Sequence, residues 1–445
     1  MTGALSAERC ALAAALLVAG LGGLLGAAIS QQPILTVLGT IALVVGGVCV
    51  LRPELLIGLM FSGILFDRLG VTGIKVDAFP ITASKLTVLA SIAAWGLHVM
   101  LSRTRPLAWH PVLTAMLALV LLTGVQLATT DTLAVGKFNL AGFGMMTVLV
   151  ALVYTILTSY PLQPIYRFMA SVFAASLALA VASGASGAGR ASGTMGDPNE
   201  WATIVLLLTP ALLGGLTDDQ HWGARSLRLA LMLLAPLAIL LSLSRTALVV
   251  GVLITPACLY LLRRRRGELG LVLGAAVVGT PLVVDLEHAL FRLRQLVQNL
   301  QGGAVVEDVS LTERTELFEQ GLQVFYDHWL WGAGPGNGPA ASGYTSLTGR
   351  LRPVHNSYLE LASEQGAVGL LVAAVFMVTV AWMLQRGYRA ATRPSDQHRI
   401  IGLATGLGAL ALMAAALGLL TFAMAYLMLG FALAVVERST RRANG

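Results

Sequence analysis

Charge is what this 445-residue chain has least of: 11% of its residues are charged, where a soluble domain carries about a quarter. With 56% apolar residues and a mean hydropathy of +0.79, that scarcity excludes a single water-soluble core, so the solvent has to be lipid. Cysteine is scarce as well. Cys10, Cys49 and Cys258 all lie in apolar segments without metal-ligand spacing and read as inert packing residues, in neither a disulfide nor a metal site. No basic run is interleaved with aromatics, so the formal charge of +7 does not point to nucleic acid. The GxxxxGK(S/T), HExxH and GxSxG patterns are missing, which removes support for NTP hydrolysis, zinc proteolysis and serine hydrolysis. Neither a metal cluster nor a cofactor motif is expected. No small-residue cleavage site follows a short apolar stretch, so the first apolar segment is expected to be retained.

What the chain has is apolar runs. A span needs roughly 20 apolar residues. Candidate spans run near 10–30, 34–51, 54–66, 82–101, 110–129, 138–158, 166–187, 200–216, 227–243, 246–262, 268–285, 367–385, 400–417 and 420–436. The expected fold is an all-α polytopic membrane protein with about 14 spans, falling to 12 if the short 54–66 segment merges with a neighbour or is re-entrant. With the N-terminus inside, the inner segments hold 18 basic and 7 acidic residues and the outer ones 11 and 15, a net of +11 against −4. Positive charge gathers on the cytoplasmic side of membrane proteins, so this asymmetry sets the orientation, with both termini cytoplasmic.

Three regions follow: spans and short loops over 1–285, one large outer loop over 286–366, and further spans with an inner tail over 367–445. Leu286, Leu290, Leu293, Val297 and Leu300 recur at helical spacing and predict an amphipathic interfacial helix. Ser310 with Glu313 is a capping box, predicting a helix from Leu311 to about His328. The glycine-rich stretch 331–338 follows. Ser357 with Glu360 is a second capping box, opening a helix that Gly366 interrupts.

Ionisable residues beside apolar spans are functional candidates. Arg245 is the only charged residue between Arg228 and Arg263, and two spans barely fit there, so it must occupy the tight outer turn. It reads either as a snorkelling turn arginine or as a phosphate clamp, since a guanidinium grips phosphate through paired hydrogen bonds. His355 precedes a helix N-terminus and follows Arg350 and Arg352. Both features disfavour imidazolium and would keep the ring able to accept a proton; the bland alternative is a hydrogen-bonding loop histidine. Arg314 sits in the first turn of the Ser310 helix, the wrong end of the dipole for a cation, although Glu313 and Glu316 could neutralise it. Arg190 stands in a small-residue loop leading to Asp197, Pro198 and Glu200, which read as cap, first helical position and capping box. That structural reading leaves Arg190 unexplained. The glycines of 332–338 could cradle phosphate or sugar, but read better as an ordinary connection. Asp218 and Asp219 lie on the inner side, away from these arginines, and read as a solvated turn.

Four stretches in this order resemble the O-antigen ligase and polymerase superfamily of bacterial inner membranes: Gly193-Thr-Met-Gly-Asp-Pro-Asn199, Ser242-Leu-Ser-Arg245, the segment from Thr312-Glu-Arg314 through Asp327 to Asn337, and His355-Asn-Ser-Tyr-Leu-Glu-Leu361. Trp329-Leu330 departs from the proline and leucine common there. The resemblance, over about 190–370, implies a fold like the C-type membrane glycosyltransferases and a metal-independent, inverting transfer at the periplasmic face of a Gram-negative inner membrane. The implied donor is an undecaprenyl-diphosphate-linked polysaccharide and the implied acceptor lipid A–core, as in an O-antigen ligase. It also implies essential roles for His355 and Arg245, and a share in diphosphate binding for Arg314 and Arg190. Arg350, Arg352 and Asn356, which flank His355, are candidates for contacts to acceptor or donor. The alternatives are an O-antigen polymerase, a protein O-oligosaccharyltransferase and, in a different class, a flippase for the lipid-linked sugar. A transporter expects internal repeats and broken polar helices at the midplane, whereas the charges here gather at the outer surface.

Overall fold

The structure is a computed structural model, and it describes residues 46–67, 75–76, 79–80, 82–102, 107–130, 133–185, 190–283, 309–343 and 354–444. The expected spans at 10–30 and most of 34–51, the amphipathic helix at 286–300, Cys10, Arg350 and Arg352 lie outside the described residues. The rest is an up-and-down helical assembly: α1 (Glu54–Leu65), α2 (Ala83–Ser102), α3 (Pro111–Thr129), α4 (Leu133–Ser159), α5 (Leu162–Ala185), α6 (Pro198–Leu216), α7 (Trp222–Ser242), α8 (Arg245–Leu262), α9 (Arg266–Val283), α10 (Val309–Asp327), α11 (Gly338–Ser342), α12 (Ser357–Ala390), α13 (Pro394–Met413) and α14 (Ala423–Asn444). One two-residue antiparallel pair, β1 (Lys75–Val76) with β2 (Phe79–Pro80), interrupts the all-α pattern between α1 and α2.

Nine described helices are long and apolar enough to cross a membrane: α2 to α8, α12 and α14. The chain is a multi-pass membrane protein. α1 is apolar but only 12 residues long, while α9 and α13 open on charged first turns. The long described helices start within about six residues of the expected spans or caps, α4, α7 and α13 starting five or six residues early. α10 begins at Val309, so Ser310 lies inside the helix instead of capping it.

Centrally placed α6 is buried along most of its length. It meets α13 at backbone contact distance because both helices offer glycines. A Cβ on Gly402 would lie 2.3 Å from the Pro210 carbonyl oxygen, and one on Gly406 would lie 2.2 Å from that of Leu207. Small residues four apart are what lets helices approach closely in lipid, where apolar burial alone gives no drive to associate.

Successive helices alternate direction, so the assembly has two ends. At the arginine-rich end, carboxylates meet guanidinium groups. Arg228, 1% exposed, grips Glu268 through Nε (2.9 Å) and Nη2 (2.7 Å) and donates from Nη1 to the carbonyls of Leu216 and Asp219. Arg167 grips Asp219 in the same two-point way, at 2.6 and 2.8 Å. Asp396 accepts from both Arg399 and Arg442, and His398 Nδ1 lies 2.8 Å from Asp218. The expectation of a solvated turn at Asp218-Asp219 holds for Asp218, which is exposed, and fails for Asp219. The Asp219 side chain is covered and closes α5 onto the α6–α7 connection, and the Arg167 hydrogen bond, outweighing the cost of burial, lowers its pKa to about 2.

The opposite end carries α10, α11 and the glycine-rich stretch. There α12 breaks at Gly366 (φ 66°, ψ −164°), a backbone conformation open to glycine, and the chain at 329–331 fills the break. The amides of Ala367 and Val368 donate to the carbonyls of Trp329 and Leu330, while Gln126 Nε2 donates to the carbonyls of Trp331 and Gln365. A broken helix within a bundle survives when neighbours satisfy the freed backbone groups in this way.

Candidate functional site

The loop end assembles the sequence candidates in three pieces. The first is the α7–α8 turn. α7 stops at Ser242, Leu243 adopts a left-handed conformation (φ 52°, ψ 27°), Ser244 is the N-cap, and Arg245 is the first residue of α8. Leu243 is the sole non-glycine residue with positive φ among the described residues, a conformation that costs a side-chain-bearing residue about 1–2 kcal/mol. The Ser242 hydroxyl holds the turn by donating to the Ile239 carbonyl and accepting from the Ser244 amide. Arg245 thus stands where sequence reasoning put it, with its cation at the positive end of the α8 dipole.

Arg190 is fastened to this same turn. Its Nε donates to the Ser242 carbonyl (2.8 Å), its Nη2 to Asn199 Oδ1 (3.3 Å), and the next amide, Ala191, bonds the Leu241 carbonyl (2.9 Å). A guanidinium on the last carbonyls of a helix is favourably placed, which supplies the structural role that the sequence left open. Asp197 caps α6 as expected, accepting from the amides of Asn199 (2.7 Å) and Glu200 (3.0 Å), with Pro198 in the first position.

The second piece is the start of α12. His355 is partly exposed and directly precedes the N-cap. That cap is Asn356, not Ser357: its Oδ1 accepts from Tyr358 (3.0 Å) and Leu359 (3.1 Å). This oxygen is spent on the helix, which qualifies Asn356 as a holder of the His355 turn. The Ser357 hydroxyl instead donates to the Leu417 carbonyl and accepts from the Leu419 amide, each at 2.7 Å. Leu417 and Leu419 in turn pack in one apolar cluster with Ala247 of α8 and Ala202 of α6. Arg245 and His355 therefore stand on helix starts anchored to the same 414–419 turn.

The third piece is α10. Leu317, Gly321 and Val324 share a face, and a Cβ on Gly321 would lie 2.9 Å from Val354, next to His355. Arg314 belongs to this face, two turns earlier, roughly 10 Å along the axis. Its helix is thus docked on the His355 turn.

Sequence reasoning missed Glu364. This buried carboxylate accepts from the Gly336 amide (2.7 Å) and from Asn139 Nδ2 (3.0 Å), while the amides of Ala333 and Gly334 bond the carbonyls of Ser363 and Glu364. The amides of Ala333, Gly334 and Gly336 are committed to α12 and those of Gly332 and Asn337 to the carbonyls of His328 and Gly334, which favours the reading as a connection over that as a phosphate cradle. An acidic residue two positions before an interrupting glycine was the available signal. Cys49 and Cys258 are free thiols, and no group of three or more potential metal ligands occurs among the described residues.

Compared with known proteins, residues 229–374 match the family model described as O-antigen ligase. The matched stretch includes Arg245, Arg314 and His355 and excludes Arg190. No curated protein matches the chain.

Proposed function

We propose, from the premise that residues 229–374 place this chain in the O-antigen ligase and polymerase superfamily, that it is an O-antigen ligase. In this reading it moves polysaccharide from undecaprenyl diphosphate to lipid A–core at the periplasmic face of the inner membrane. The observation that carries it is the strained α7–α8 turn, which presents Arg245 at a helix N-terminus with Arg190 fastened beside it. A cation at the positive end of a dipole is favourable once an anion lies between them, and a diphosphate is such an anion.

The chemistry then divides between the two helix starts. His355 takes the proton of an acceptor hydroxyl as that oxygen attacks the anomeric carbon on the face opposite the diphosphate. The bond from that carbon to the diphosphate oxygen breaks, and undecaprenyl diphosphate leaves with the electron pair. Arg245, with Arg190 and Arg314, stabilises the charge that grows on the leaving group. One displacement inverts the anomeric centre, and no step calls for a metal. The break in α12 does not favour the transporter alternative. It lies at the loop end and is sealed by residues 329–331, whereas a transporter's broken helices present open backbone to substrate at the midplane.

The test is transfer by the purified full chain given undecaprenyl-diphosphate-linked polysaccharide and lipid A–core in excess chelator. Product formation with release of undecaprenyl diphosphate is expected. Activity that vanished and returned with magnesium or manganese would show that the arginines are not the main diphosphate ligands.

A further inference from the structure

The segment that fills the break in α12 is built from exposed apolar side chains. Trp329 is 59% exposed and Leu330 51%, and Tyr326 and Trp331 beside them are exposed as well. Phe318 of α10, Leu133 and Val135 at the start of α4, and Leu371, one turn past Ala367, are exposed on the elements around it. The height of this segment relative to a bilayer follows from α3, which has 19 residues. Such a helix is roughly 28 Å long, against a hydrocarbon core of roughly 30 Å, so its last turn cannot stand clear of the lipid. That last turn is what holds Trp331. Gln126 Nε2 donates to the Trp331 carbonyl (2.8 Å), and the Trp331 indole N–H donates to Thr129 Oγ1 (3.3 Å). Two residues earlier, the Trp329 carbonyl takes the amide of Ala367, where α12 begins its apolar run.

The surroundings of these side chains say what covers them. On α10, Glu316, Gln323 and Asp327 recur at helical spacing on one exposed face, the side for water. Phe318 lies across the helix from them, on the stripe that continues through Leu322 and Phe325 towards Trp329. From Thr315 to Gly349 the chain has no lysine or arginine, so nothing there grips a diphosphate or selects an anionic headgroup. A glycan platform sets its rings among hydrogen-bonding groups, whereas these rings alternate with aliphatic side chains and the Trp331 N–H is taken by Thr129. Apolar ring bodies with polar tips, at the level where spanning helices end, suit the boundary between acyl chains and headgroups. We propose that residues 326–331 are an interfacial anchor, which rests the C-terminal end of α10 on the phospholipid surface at the loop end. Gly321 of the same helix packs on Val354, so the bilayer then supports the turn that carries His355. The anchor stands independently of the ligase reading, since it needs only bulk phospholipid.

The experiment uses the full chain in phosphatidylcholine nanodiscs, with neither donor nor acceptor present. Trp329→p-benzoylphenylalanine should give a covalent adduct with phospholipid on irradiation, and Gln323→p-benzoylphenylalanine, on the water face, should not. The native ring is read separately in a chain labelled with fluorotryptophan, where Trp329→Phe identifies the Trp329 fluorine signal. That signal should be lost when the phospholipid carries a nitroxide on its acyl chain near the headgroup, and should persist with a gadolinium chelate in the water. Equal adducts at both positions, or a Trp329 signal lost to the chelate and not to the lipid nitroxide, overturns the anchor. A signal untouched by the lipid nitroxide that shifts when free polysaccharide is added also overturns it, and assigns the surface to glycan.

Discussion

The two ends of the bundle seat arginine on different kinds of backbone. At the arginine-rich end, guanidinium groups are closed against carboxylates: Arg228 on Glu268, Arg167 on Asp219, Arg399 and Arg442 on Asp396. At the loop end, the hydrogen bonds of Arg190 to Ser242 and Asn199 go to neutral oxygens, and Arg245 occupies the unfavourable end of a helix dipole beside a left-handed leucine. One arrangement locks helices together through ion pairs. The other sets an arginine at a helix start behind a left-handed residue, the place we propose for the donor diphosphate. Residue type alone does not separate these two settings; the backbone beneath the side chain does.

The largest effects are expected from replacing the residues proposed to act on substrate. Arg245→Ala should nearly abolish transfer, and Arg245→Lys should recover little, since an ammonium cannot reproduce a two-point grip. His355→Ala should lose about 10²- to 10⁴-fold in transfer rate while still binding the lipid-linked donor. Thermal unfolding of these variants should stay near wild type. Near-normal turnover in the histidine variant would leave His355 a structural residue.

At the other end the readouts should exchange. Arg228→Ala strands a buried Glu268 carboxylate and should cost about 3–5 kcal/mol of stability, whereas Arg228→Met with Glu268→Leu should cost much less. The transfer rate of the folded fraction should hold in both, measured as turnover per correctly folded molecule. Glu364→Ala should lie between these extremes. It orphans the Gly336 amide and Asn139, at a cost of about 1–3 kcal/mol, which Glu364→Gln should largely recover.

The smallest effect is on acid stability. Asp219 has its pKa lowered to about 2 in the folded chain by Arg167, so its contribution is present above the unfolded carboxylate value, about 4. It is lost as pH falls through about 2. Asp219→Asn should therefore lower the midpoint of thermal unfolding at neutral pH, with the gap to wild type narrowing between pH 4 and pH 2. A gap independent of pH would show that the ion pair is not its source.

The elements that were legible in the sequence carry local signals. Apolar runs gave the helices, the spacing from Arg228 to Arg263 placed Arg245 in its turn, and Asp197-Pro198 gave a cap. What stayed illegible depends on partners far along the chain. Asp219 sits 52 residues from Arg167, and nothing beside it announces that pairing. Ser357 and Asn356 are both good caps, and the choice fell to Asn356 because the Ser357 hydroxyl is taken by Leu417 and Leu419, some 60 residues on. Glu364 showed only as a charge near a span, and its work on the glycine-rich stretch follows from the break at Gly366.

If this chain joins finished polysaccharide to lipid A–core, as proposed, a strain lacking it accumulates bare lipid A–core, with long polysaccharide retained on its undecaprenyl carrier. Lipid A–core bearing a single repeat unit would contradict the proposal, because ligation would then be intact and polymerisation lost.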